Sequence, residues 1–206
     1  DYYASRGLGD VYKRQMFNRG NYYKQYRYGW YRICSKILGY SECNLIQVPI
    51  YMQFKLVLND TFDKYNCGEF DKKENDTISV SKSNFSHETD EVNVMISDTY
   101  PLSLSQLPEV KKNLPTLLIS RNNTNDVNRY DSPELVRCVV NEVRSLNNNI
   151  KKVNVYATTN PLNTKNIASS AFKLGGRDNF NEVRVFQQER DGIRKFNNKG
   201  IVVYKR

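Results

Sequence analysis

The stretch Asp131-Ser-Pro-Glu-Leu-Val-Arg-Cys-Val-Val-Asn-Glu-Val-Arg-Ser-Leu146, followed by Asn147-Asn-Asn-Ile-Lys-Lys-Val-Asn-Val-Tyr-Ala157, changes its hydrophobic period once and decides the fold class. Asp131 or Ser132 stands where a helix N-cap belongs. Pro133 suits the first turn, where a backbone N–H has no intrahelical partner, and Glu134 meets the positive end of the helix dipole. Leu135, Val136, Val139, Val140, Val143 and Leu146 then recur on one helical face. The asparagines at 147–149 stop the helix, and Val153, Val155 and Ala157 alternate as a strand. A one-faced helix feeding a strand predicts a helix laid on a sheet.

Working outward, Thr116–Ser120 reads as a short apolar strand before this unit. After it, Asn163 or Thr164 opens a second helix through Ala168, Ala171 and Phe172, ending at Leu174-Gly-Gly176. Val183–Gln187 and Ile201–Tyr204 close the chain as strands joined by a basic turn. The order strand, helix, strand, helix, strand, strand implies βαβ units with right-handed crossovers. The zone before Thr116 reads as mainly strand. Within Leu45–Leu58, Ile46, Val48, Ile50, Met52, Phe54, Leu56 and Leu58 fall at period two, with Pro49 interrupting the first part. Thr77–Ser81 and Glu91–Ser97 are further strands, and Leu102–Pro108 is a loop. The expected class is mixed α/β: a central mixed sheet with helices on its faces and an antiparallel, β-rich first half. The expected organisation is one domain over 44–206 preceded by a basic aromatic helix or arm over 16–43.

The chain has 206 residues, enough to bury a core without staples. Its formal charge is +9, and its mean hydropathy is −0.70. That excess of cations favours polyanionic partners such as nucleic acid or nucleotides. Cys34, Cys43, Cys67 and Cys138 fall at no metal-ligand spacing, and His87 is the single histidine, so no metal site is expected. Reduced thiols and the lack of a stretch near ~20 apolar residues lead to the expectation of a cytoplasmic protein with no membrane partner. Ser5-Arg-Gly-Leu-Gly-Asp-Val-Tyr-Lys-Arg-Gln15 resembles a translated sequencing adapter, so residues 1–15 are expected to stand outside the fold.

The segment Asn160-Pro-Leu-Asn-Thr-Lys-Asn-Ile-Ala-Ser-Ser-Ala-Phe-Lys-Leu-Gly-Gly-Arg177, with Ile150–Tyr156 before it, is similar to the C-terminal half of the GNAT N-acetyltransferase superfamily. The shared features are a strand-end asparagine, the helix after it and a Lys-Leu-Gly ending. The resemblance implies acyl transfer from acetyl-CoA to a small-molecule or peptide amine, or a form of that fold that has lost activity. It places the CoA pyrophosphate at Arg129–Ser132 and the pantetheine arm beside Asn160 and Asn163. In the family's glycine-bearing phosphate loop this chain carries Ser132, Pro133 and Glu134, and Ala171 stands where the family has a tyrosine. The candidate general bases are Glu91, Asp98 and Glu69, with Tyr156 or Tyr204 as a substitute acid.

A second reading starts from Met16–Lys36. Arg19, Lys24, Arg27, Arg32 and Lys36 are interleaved with seven aromatics that include Trp30, and the segment has no acid. Cations neutralise phosphates and flat rings stack on unpaired bases, so a non-enzymatic nucleic-acid-binding protein is the alternative. In composition the segment also resembles the basic arms of small capsid proteins of single-stranded DNA viruses. Equally, Tyr22, Tyr26 and Trp30, four apart, could form the apolar face of a helix on the core. His87 in a polar turn, Ser169 and Ser170 without elbow glycines, and Cys138 on a helix face carry no nucleophile arrangement.

Overall fold

The computed structural model describes residues 26–86, 88–122, 129–173, 180–189 and 192–206. In chain order it runs α1 (Tyr28–Lys36), β1 (Glu42–Asn44), α2 (Ile50–Leu58), β2 (Lys64–Asn66), β3 (Ile78–Ser83), β4 (Glu91–Ser97), β5 (Thr116–Arg121), α3 (Pro133–Arg144), β6 (Lys152–Ala157), α4 (Pro161–Ile167), β7 (Glu182–Phe186) and β8 (Ile201–Lys205). Single 3₁₀ turns at Leu104–Gln106 and Glu109–Lys111 lie between β4 and β5. The fold is mixed α/β.

Its centre is a six-stranded sheet in the order β3-β5-β4-β6-β7-β8. β5, β4, β6 and β7 run parallel, and the two edge strands are antiparallel to their neighbours. Strand parity divides the core. Val92, Val94, Ile96, Leu117, Ile119, Val153, Val155, Val183 and Val185 face α2, α3 and α4. Met95, Tyr156 and Phe186 point the other way and are covered by Leu102, Leu107 and Phe196 from connecting segments. The helices therefore occupy one face and loops cover the other, which corrects the expectation of helices on both faces.

α3 starts as its residues dictate: the Ser132 side chain accepts the Leu135 N–H at 3.3 Å and Pro133 takes the first turn. The same grammar recurs at Asn160-Pro161, where the Asn160 side chain accepts the Asn163 N–H at 2.9 Å. α4 thus begins at Pro161, two residues before the earlier of the expected openings, Asn163 or Thr164. It continues through a wide π turn, Ala168–Phe172, closed by Lys173 N–H donating to the Ala168 carbonyl.

Leu45–Leu58 corrects the largest expectation. Its second part is the helix α2, with Met52, Gln53, Phe54, Leu56, Val57 and Leu58 all buried. An element buried nearly all round loses its polar stripe, and a short apolar run then fits either period. Pro49 precedes the helix as its N-cap residue. The first half is consequently not an antiparallel β-rich unit: β1 and β2 pair in parallel on either side of α2 in the chain.

Residues 1–25, with the adapter-like stretch, Arg19, Lys24 and Tyr22, lie outside the described residues, as do His87 and the Gly175-Gly176 helix ending. Of the expected aromatic face, Trp30 is exposed, whereas Tyr31 and Cys34 are buried. The buried side of α1 is therefore offset by one residue from the four-residue spacing.

Candidate functional site

The strand order produces a crevice. β4 has β5 on one side and β6 on the other. The segment leaving β4 runs over the loop face through Leu102 and Leu107, whereas α4 leaves β6 over the helix face. Successive connections diverge at such a point, and in open α/β sheets ligands bind there, outside the carboxyl ends of the strands. Pairing continues to the rim: Thr99 N–H donates to the Thr158 carbonyl at 3.1 Å and Thr158 N–H to the Ile96 carbonyl at 3.0 Å. The Ser97 and Thr158 hydroxyls both donate to the Tyr100 carbonyl at 2.9 Å. The floor is thus rigid and polar. Tyr100 stands above it, 47% exposed, with the Arg194 guanidinium 4.5 Å from its ring centroid.

Beneath the rim on the helix side lies a buried ionic network. Arg121 ends β5 with its side chain only 2% exposed; it lies 3.0 Å from Asp98 Oδ1 and 3.3 Å from Asp76 Oδ2. The other oxygen of Asp98 accepts the Asn163 side-chain amide at 2.9 Å and the Asn160 N–H at 3.3 Å. Ser132 Oγ donates to Asp76 Oδ2 at 2.7 Å while Ser132 N–H donates to Asn163 Oδ1 at 3.2 Å. Asn160 and Asn163 also donate to the Tyr130 carbonyl at 2.8 and 2.9 Å. One arginine therefore ties together the starts of α3 and α4, the end of β4 and the approach to β3. Burial pushes the Asp98 carboxyl above its ordinary value, and the Asp76 charge adds to this, against the lowering effects of Asn163, Arg121 and the Asn160 N–H.

Ser132, Asn160, Asn163 and Asp98 are thus brought together, as buried scaffolding under the crevice. Arg129 is exposed and, with Glu69, Phe70, Asp71 and Tyr130, bounds a depression of about 650 Å³. Two carboxylates share that depression, an environment that disfavours a pyrophosphate. Glu91 lies at the opposite end of β4, 2.5 Å from Lys111 Nζ. Burial raises its carboxyl, but Lys111 and the Asn154 amide outweigh this and hold it below the usual range. Tyr156 is fully buried on the loop face, stacked on Phe186 at 4.6 Å and edge-on to Phe196 at 5.1 Å. Burial first, and the Glu91 charge second, drive its hydroxyl far above the ordinary phenol value. Arg27, Trp30 and Arg32 are exposed on or beside α1. Among the described residues no cluster of His, Cys, Asp or Glu could hold a metal, and no helix is long and apolar enough to cross a membrane.

Sequence reasoning missed Arg121, Asp76, Tyr100 and Arg194. A signal existed for the first: Leu117, Ile119 and Arg121 share a strand parity, placing a cation on the core face where only a buried acid can satisfy it. Nothing local marks Asp76 or Tyr100.

A family model described as SUa-2TM, the SMODS- and Ubiquitin system-associated 2TM effector domain, matches residues 8–203. No curated protein matches the chain. Among solved structures, the Acinetobacter baumannii Cap4 SAVED/CARF-domain containing receptor with the cyclic trinucleotide 3'3'3'-cAAA aligns with a TM-score of 0.52 at 12% identity. The same receptor with 2'3'3'-cAAA aligns with a TM-score of 0.54 at 13% identity. Each alignment covers 78% of this chain and 37% of the receptor chain, so the chain spans little more than a third of that receptor's length. At such identity the likeness is one of fold.

These findings overturn the acetyltransferase expectation, and with it acetyl-CoA as cofactor and an amine as substrate: the family and the structural neighbours are of another kind. The sheet gives the physical reason. A CoA arm needs parallel strands Thr116–Ser120 and Val153–Thr159 splayed apart, yet β4 lies between them, paired with both. The capsid-like alternative falls as well, since it needs two facing antiparallel sheets and the core here is one mixed sheet.

Proposed function

This chain belongs to the SUa-2TM family, the SMODS- and Ubiquitin system-associated 2TM effector domains, and on that premise we propose that it is a sensor module that binds a cyclic oligonucleotide at the crevice between the ends of β4 and β6. The observation that carries the reading is the switch point itself, in a fold shared with receptors whose structures hold cyclic trinucleotides. The chemistry of such a ligand suits the crevice. Its phosphates call for cations, supplied by a chain of formal charge +9 and at the rim by Arg194. Its bases call for flat apolar surfaces, supplied by Tyr100. The Ser97 and Thr158 hydroxyls are engaged within the floor, donating to the Tyr100 carbonyl and accepting the Leu102 and Asp98 N–H groups, so they fix its shape beneath the ligand. The buried network from Arg121 to Asn163 holds the segments around the crevice in place before the ligand arrives, which lowers the ordering cost of binding.

Calorimetry of the full chain against a panel of cyclic di- and trinucleotides containing adenine tests the reading, with acetyl-CoA as comparison. Saturable heat with at least one cyclic oligonucleotide and none with acetyl-CoA is the expected result. Silence across the whole panel would overturn it.

A further inference from the structure

Resting on the ligand class just proposed, we infer that Tyr100 and Arg194 form a built clamp at the mouth of the crevice, the ring stacking on a nucleobase and the guanidinium holding a neighbouring phosphate. The two residues come from connections remote in sequence, the β4–β5 segment and the β7–β8 segment, and their meeting is enforced by Gln106. Its side-chain oxygen accepts the Ser103 N–H at 2.9 Å, fixing the turn after Tyr100. Its side-chain amide donates to the Ile193 carbonyl at 3.2 Å and to the Arg194 carbonyl at 3.4 Å. Its backbone carbonyl accepts the Phe196 N–H at 3.0 Å. Gln188 adds a second amide to the Arg194 carbonyl at 2.9 Å. Phe196 anchors the whole turn by packing edge-on against buried Tyr156 at 5.1 Å.

Stability alone does not explain this construction. Arg194 is held at φ +54, a left-handed conformation that residues other than Gly, Asn and Asp seldom take. An exposed cation–π contact gives back only an amount comparable to that cost, and strain of this kind concentrates at binding sites. The Tyr100 ring carries the Arg194 guanidinium over it and is still 47% exposed, while its backbone carbonyl is tied down by Ser97 and Thr158. A planar guanidinium at the ring can take a phosphate with two parallel hydrogen bonds, which an ammonium cannot. Ring, fork and spacing together fit one nucleotide unit of an adenine-bearing cyclic oligonucleotide.

The experiment titrates the full chain and its Tyr100→Ala, Tyr100→Phe, Arg194→Ala and Arg194→Lys variants with 3'3'3'-cAAA and 2'3'3'-cAAA at two salt concentrations. Urea midpoints of the variants, expected to match the parent at these exposed positions, check that the fold is intact. Tyr100→Ala should weaken binding by about 5- to 150-fold, the span that loss of one base–aromatic stack produces. Tyr100→Phe should bind within about twofold of the parent, since the π face remains. Arg194→Ala should weaken binding and flatten its salt dependence, while Arg194→Lys should keep the slope and lose part of the affinity. If the parent chain binds and both alanine variants bind equally well, the clamp is refuted while the crevice reading stands. If the parent chain binds neither trinucleotide, the clamp falls.

Discussion

Replacing Arg121 by methionine is the sharpest perturbation of the scaffold under the crevice. The guanidinium lies 3.0 Å from Asp98 and 3.3 Å from Asp76, and all three side chains are almost wholly buried. At an effective dielectric of about 20, each contact is a gross attraction of roughly 5 kcal/mol, most of which offsets desolvation. Methionine matches much of the volume, so packing changes little, but it leaves two buried carboxylates without a cation. Removing one partner of a buried pair costs about 3–5 kcal/mol. Against a typical stability of roughly 5–15 kcal/mol, that is a large fraction. Urea denaturation followed by circular dichroism measures it.

The pH dependence gives an internal check. Asp98 is already raised above its ordinary value by burial, so in the folded state it keeps its proton to higher pH than in the unfolded chain. Between the unfolded value near ~3.9 and the raised folded value, the folded state binds more protons, and stability falls as pH rises through that window. Without Arg121 the folded value rises further and the window extends upward. The deficit of Arg121→Met should therefore shrink on going from about pH 8 to about pH 5. A destabilisation under about 1 kcal/mol, or one that grows on acidification, would refute the account of the network as a paired, buried charge cluster.

Three other outcomes follow from the packing. Tyr156→Ala removes the ring between Phe186 and Phe196 and should cost about 3–5 kcal/mol by chemical denaturation. Tyr156→Phe should stay close to the parent, because the 3.4 Å contact of the hydroxyl with Asn93 is long. Gly200→Ala would bring a Cβ to 2.5 Å from the Phe186 ring, so the thermal midpoint should drop by an amount equivalent to about 1–3 kcal/mol. Burial pushes the Cys67 thiol up to about 11, partly offset by Lys165, and raises Cys43 further still. Maleimide at about pH 8, read by mass spectrometry, should therefore label partly exposed Cys138 first and Cys43 only as the chain unfolds; early Cys43 labelling would contradict this.

What could be read from the residues alone was local. Ser132-Pro133 at a helix start, the strand at Glu91–Ser97 and the strand read from alternation at Val153–Ala157 rest on interactions within a few residues, and the structure has these elements there. Asn160-Pro161 carries the same helix-start grammar as Ser132-Pro133. Leu45–Leu58 was ambiguous because a wholly buried element shows no polar face, and only packing chooses its period. The resemblance to acetyltransferases drew on a strand-end asparagine and the helix after it, features that parallel α/β layers share whatever they bind.

By itself the sequence determined the alternation of elements from Thr116 onward and the Ser132 cap that starts α3, because those depend on hydrogen bonds and periodicities spanning a handful of positions. Tertiary structure alone decided the rest. Placing β4 between β5 and β6 opened the switch point and removed the gap a CoA arm would need. The same arrangement brought Asp76, Asp98, Arg121, Ser132, Asn160 and Asn163 into one buried network. It also set Tyr100 against Arg194 across more than ninety positions of chain. Contacts of that range are chosen by the global packing minimum, in which burial of a charge is tolerated only when partners from other strands arrive with it.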